Sequence, residues 1–169
     1  ASGHRGTTEA NITTKPGWFY NEPTLSNGKL VTPRKWSWAI PHARFYAVFP
    51  QVKNEYTKIK LSPETYEGSP YIEFEAETEV TNQKDLMTAC SGHVHYSVQG
   101  TAPRTDLDFR HALTAIKFAV GQNLSINKTI SKVEIRNALS KGKYTLSDKF
   151  DGTGAKWENL SDAKTFKLE

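Results

Sequence analysis

Leu107-Asp108-Phe109-Arg110-His111-Ala112-Leu113-Thr114-Ala115-Ile116-Lys117-Phe118-Ala119-Val120 carries two sets of alternating apolar residues. Leu107, Phe109 and Leu113 fall on odd numbers, and Ile116, Phe118 and Val120 on even ones. A strand of period two cannot bury both sets on one face unless one residue is inserted between them. The spacing predicts a long strand with a bulge near 111–115, or two strands meeting at a kink. A short helical turn is the alternative, but the repeated spacing by two favours β. Such a strand belongs to the core of a β-sandwich, where His111 is expected as a buried, hydrogen-bonded histidine.

The flanking sequence reads the same way. Residues 44–49 are apolar on both parities, as in a strand covered on both faces, and Pro50 ends it. Residues 55–61 turn Ile59 and Leu61 inward and Lys58 and Lys60 outward. Residues 71–77 turn Ile72, Phe74 and Ala76 inward and Glu73, Glu75 and Glu77 outward. Paired as a hairpin, they lay a lysine row beside a glutamate row, a contribution of a few tenths of a kcal/mol per pair, roughly. Residues 132–136 and 143–146 form a second predicted pair, turned at Lys141-Gly142. The turn Asp151-Gly152-Thr153-Gly154 precedes a last strand at 165–168. Short extended pieces are also expected at 17–20, 29–31 and 35–38, the last with Trp36 and Trp38 on one face. The single helix candidate, 83–89, is one or two turns. Residues 1–14 are polar and patternless and read as a flexible leading arm, with the domain occupying 15–169. Short strands at this spacing indicate an all-β sandwich or barrel. The inward set comprises Phe45, Phe49, Ile72, Phe74, Phe118, Val120, Val133, Ile135 and Tyr144.

At 169 residues the chain suffices for one well-buried domain of sandwich size. Its 22 basic and 18 acidic residues are interspersed, with no basic run of the kind that tracks a phosphate backbone, so nucleic acid is not an expected partner. No apolar run is long enough to cross a bilayer, and a secretory leader is expected to have been removed upstream. The lone cysteine, Cys90, excludes an internal disulfide and reads as a small buried hydrophobe. Asn-x-Ser/Thr tripeptides at Asn11, Asn123, Asn127 and Asn159 occur at a frequency chance supplies.

No catalytic constellation stands out. His93-x-His95 has the spacing of a strand-borne zinc pair, but Val94, Tyr96 and Val98 take the opposite parity and no third ligand is near in sequence. Glu73, Glu75 and Glu77 share one exposed face, whereas acid/base carboxylates need distinct environments. Trp18, Trp36, Trp38 and Tyr20 fit either core packing or an aromatic sugar-binding platform. Catalytic residues, metal ligands and cofactors are therefore all expected to be none.

Several phrases resemble the fimbrillin family of Bacteroidales-type surface proteins. Trp38-Ala39-Ile40-Pro41 followed by Arg44-Phe45-Tyr46-Ala47-Val48-Phe49-Pro50 is similar to its tryptophan, proline and "FYAxxP" pattern. Asp85-Leu86-Met87-Thr88-Ala89 resembles "DLMxA", and residues 109–120 resemble "FxHALxxIxFxV". Ile130-Ser131-Lys132-Val133-Glu134-Ile135-Arg136-Asn137, with Lys141-Gly142-Lys143-Tyr144, resembles "ITxVxIxN…KGxY". The phrases occur in family order over about 36–168. The stretch 91–105 looks longer than the family carries, which suggests an added hairpin at 93–98.

The resemblance implies a transthyretin-like Greek-key β-sandwich with little helix, the N-terminal domain of a fimbrial subunit whose C-terminal domain lies outside this chain. It also implies a lipoprotein precursor, exported and tied to the outer membrane through a lipid anchor upstream. An arginine-specific protease then removes a leading strand, and Arg5 sits where that cut would fall. The expected partners are other fimbrial subunits through β-strand addition, with host or bacterial surface ligands as further candidates. The function expected is a structural or adhesive, non-enzymatic subunit of a cell-surface fimbrium. The alternatives are a surface-exposed carbohydrate-binding module and, third, a metal-assisted hydrolase. The same reading predicts a poorly covered edge groove.

Overall fold

The computed structural model describes residues 1–122 and 129–168. These form nine strands, β1 (Ser2–Gly6), β2 (His42–Phe49), β3 (Ile59–Leu61), β4 (Tyr71–Glu75), β5 (Met87–Cys90), β6 (Val94–His95), β7 (Arg110–His111), β8 (Val133–Thr145) and β9 (Lys156–Leu168). Helix is confined to two three-residue 3-10 turns, Glu9–Asn11 and Val80–Asn82. One antiparallel sheet runs β1-β2-β5-β7, with β6 following β5 along β2; the other runs β3-β4-β8-β9. The fold is an all-β sandwich, as the alternation predicted.

The core lies between the sheets. Tyr46, Leu86 and Cys90 meet Ile59, Ile72, Phe74, Tyr144 and Leu146 there, and Ile72 and Leu86 are wholly buried. Burial pushes the Cys90 thiol up to about 11, so it serves as an inert apolar filler. The hairpin of β3 and β4 sets Lys60 directly opposite Glu73, as the charge rows required. Glu77 binds Lys58, and Glu75 binds Lys141 and Lys164. β2 is covered on both faces. Tyr46 points into the sandwich, while Phe45 lies under Trp18, Phe19 and Trp36, with ring centroids 5.6–6.0 Å apart.

Several expectations are corrected. The leading residues are not a loose arm: Ser2–Gly6 is an edge strand paired along its length with β2, from Ser2↔Tyr46 to Gly6↔His42. Two glycines make this possible without an apolar period. A Cβ on Gly3 would stand 2.4 Å from the Phe19 ring, and one on Gly6 2.6 Å from the Asn11 backbone. The long core strand at 107–120 is reduced to Arg110–His111. Pairing stops there because β5 begins at Met87, the partner of His111. Phe118 and Val120 are consequently exposed, at 46% and 64%, and Phe49 at the end of β2 is exposed too. His111 lies on an exposed sheet edge, its Nδ1 2.8 Å from Asp85. The candidate helix at 83–89 leads instead into strand β5.

Finally, 132–136 and 143–146 are not two strands turned at Gly142. They belong to one 13-residue strand, β8, paired with β9 across two register shifts. Gly142 is in its interior because Trp157 and Leu160 occupy the space over it, 2.7–3.1 Å from where a Cβ would be. Of the glycosylation tripeptides, Asn11 caps a 3-10 turn through its own side chain and Asn159 has φ +55 in β9. Asn123 and Asn127 lie outside the described residues, as does Glu169.

Candidate strand-acceptor groove

β4 is much shorter than β8. Its last pair is Glu75↔Lys141, extended by the Ala76 amide donating to the Ser140 carbonyl at 2.8 Å. From there the chain leaves the sheet. Residues 133–139 of β8 therefore pair with β9 on one side and, among the described residues, with no strand on the other. Alternate backbone groups along that edge face outward, a template for another strand.

The edge borders an apolar groove of about 560 Å³. Its floor is two cross-strand pairs, Val133↔Leu168 and Ile135↔Phe166. Glu134 and Arg136 take the opposite parity and pair with each other, so charge stays off the floor. Lys132 and Arg136 hold the Glu134 carboxyl down at about 2. The register shift between Ile135 and Ala138, with Asn137 at φ +59, changes the parity of β8, and Ala138 and Leu139 beyond it also line the groove. Leu113, Ile116 and Phe118 form one wall, and Val80 and Lys84 belong to the other.

The first wall explains what becomes of the apolar alternation at 116–120. The Trp157 indole N–H donates to the Ala112 carbonyl at 2.8 Å, the Ala112 amide bonds the Leu86 carbonyl, and Leu113 packs on the core. Beyond that anchor Ile116 is 62% exposed. With Phe118, Leu139 and Leu168, which also line the groove, it forms an apolar surface rather than an isolated exposed hydrophobic.

The other candidate residues do not assemble into a reactive centre. His93 and His95 meet His42 in a stack: His42 Nδ1 lies 2.7 Å from His93 Nε2, and the His42 and His95 rings are 4.3 Å apart and nearly parallel. His93 Nδ1 lies 3.3 Å from Glu9. No group of three or more ligating side chains among the described residues could hold a metal ion. Glu73 faces Lys60, and the Lys164 and Lys58 ammonium groups lower the Glu75 and Glu77 carboxyls. Trp18 and Trp36 pack on Phe45, leaving only Trp38 of the proposed platform mostly exposed, while the Tyr20 hydroxyl donates to the Ser62 carbonyl at 2.9 Å. Arg5 pairs with Ala43 within β1, its guanidinium 5.7 Å from the Trp18 ring centroid.

A protein-family model described as fimbrillin-like matches residues 5–169. The chain belongs to the fimbrillin-like family. Membership points to a fimbrial subunit at the cell surface and to association with other subunits, a structural role. No curated protein and no solved structure matches the chain. For this fimbrillin-like domain the sequence signalled the groove's floor, Val133 and Ile135, but missed Val80, Lys84, Leu139 and Phe166. Val80 follows a polar run, and Leu139 lies beyond a register shift that Asn137 alone hints at.

Proposed function

We propose that this fimbrillin-like domain is the acceptor half of a fimbrial subunit, and that the groove beside β8 receives an extended strand from a neighbouring subunit. The observation that carries this reading is the coincidence of two features, a β8 edge unpaired among the described residues and an apolar surface that no described residue fills. An incoming strand gains backbone hydrogen bonds from the first and side-chain burial from the second. In this account the precursor is a lipoprotein exported to the outer membrane, a further domain supplies the donor strand, and the protein is not an enzyme. Processing at Arg5 belongs to the same proposal. Because β1 is paired along its whole length, the bond after Arg5 is accessible to a protease only while β1 is unseated.

Leu139→Asp tests the assembly step. The residue is exposed in the free domain, so the fold should survive, while a buried carboxylate would oppose strand docking. Folded monomer that no longer polymerises is the expected result. Polymerisation at the wild-type rate would contradict the acceptor role of this groove.

A further inference from the structure

Strand β1 carries two glycines, a serine, an arginine and one side chain that titrates near neutral pH, His4. His4 is 2% exposed and stands directly opposite Arg44 on β2, on the same face as Tyr46, whose ring it meets edge-on at 5.0 Å. Its Nδ1 lies 2.8 Å from the Thr13 carbonyl, so Nδ1 carries the proton and donates it there. Nε2 is buried with no hydrogen-bond partner among the described residues, and the same holds for Arg44 Nε. The titratable groups around the ring are Arg44 and Tyr46 on β2, with Tyr20 and Tyr66 lining the small cavity beside it. None of these is a carboxylate. A proton added at Nε2 finds no acceptor among the described residues, and its charge lies opposite a guanidinium. At the far end of β1, where Gly6 pairs with His42, the Glu9 carboxylate lies 3.3 Å from His93 and offsets charge gained there. His4 has no such compensation.

We infer that His4 is an acid-sensitive latch on β1: the neutral imidazole keeps the strand seated, and its protonation releases Ser2–Gly6 from β2 while the two sheets stay packed, exposing the bond after Arg5. This goes beyond the strand-acceptor reading, and it holds whether or not Arg5 is the native processing site. Burial, reinforced by Arg44 and opposed by the Thr13 bond, lowers the proton affinity of the seated imidazole below that of the released one. Seating is therefore at full strength above pH about 6.5, the ordinary imidazole value, and is lost as pH falls from there through the seated-state value. Release is local because β1 buries almost no apolar side chain of its own. Backbone pairs with β2, the Gly3 amide on the Phe19 carbonyl and the Thr13 amide on the Arg5 carbonyl make up the rest of its attachment, and none of them titrates.

Hydrogen exchange of the Ser2–Gly6 amides at pH 7 and pH 5, expressed as protection relative to the free-chain rate at each pH, tests this. With an imidazole pKa of about 6.5 in the released strand, protection should fall by at least two-fold and up to roughly twenty-five-fold over that interval. At both pH values it should lie below the protection of residues 72–74, which pair with β3 on one side and β8 on the other. His4→Gln should abolish the fall. Equal protection of β1 and residues 72–74 would show that β1 leaves only when the whole domain unfolds, and the latch would be overturned. A fall of less than about two-fold in the wild type, or one that persists in His4→Gln, would overturn it as well. Should His4→Gln fail to fold, titration of the His4 ring in the wild-type domain by NMR decides in its place: a midpoint below about 6.5 supports the latch, and one at or above that value overturns it.

Discussion

Phe118→Ala separates a core residue from a groove residue. Full burial of a phenylalanine side chain stabilises by up to about 3 kcal/mol. Phe118 is 46% exposed, so roughly half of that, about 1.5 kcal/mol, is already realised in the free domain. The other half becomes available only when a donor strand covers the groove. The substitution should therefore lower the unfolding free energy of the isolated domain by about 1.5 kcal/mol in urea titration, and raise the critical concentration for polymerisation of the full-length, processed subunit roughly ten-fold. Ile72→Ala is the control. Ile72 is wholly buried between the sheets, and its truncation should cost about 2–5 kcal/mol without weakening donor binding by the molecules that remain folded. A loss of about 3–5 kcal/mol for Phe118→Ala, with donor binding unchanged, would show that Phe118 is a core residue and that the groove reasoning is wrong.

Acid should destabilise the domain before its carboxylates protonate. Burial lowers the proton affinity of His4, and desolvation together with His95 and His93 lowers that of His42, so the unfolded chain takes up protons first. Stability is then fully present above pH about 6.5 and lost as pH falls from there through the folded-state values; His4→Gln should flatten the slope, and a melting temperature unchanged between pH 7 and 5 would contradict this. For processing, a precursor carrying Arg5→Ala should remain uncut. Wild-type maturation of that precursor would remove Arg5 from the account.

The charge rows and the β2 pattern were legible because each was expressed in local periodicity. Lys60 opposite Glu73, and Phe45 and Tyr46 on opposite covered faces, follow from alternation alone. The leading strand was not legible, because Gly3 and Gly6 contribute through the side chains they lack. Gly142 misled for a related reason, since a glycine beneath Trp157 and Leu160 has the same sequence signature as a turn. The alternation at 116–120 is apolar, but these residues form no strand, and periodicity does not say which chain covers a face. Here Ile116 and Phe118 belong to the groove wall. Leu139 lies beyond the β8 register shift, which only the pairing with β9 reveals.

Hydrogen exchange at the backbone amides of residues 133–139 tests the central claim most directly. In the free domain, those amides on this stretch that point away from β9 should exchange rapidly, while those bonded to β9 are protected. In assembled fibres the whole stretch should become protected, with no comparable change at Tyr71–Glu75 or at β3. Outward amides that are already protected in the free domain, or that stay unprotected in the fibre, would show that no strand is added at this edge.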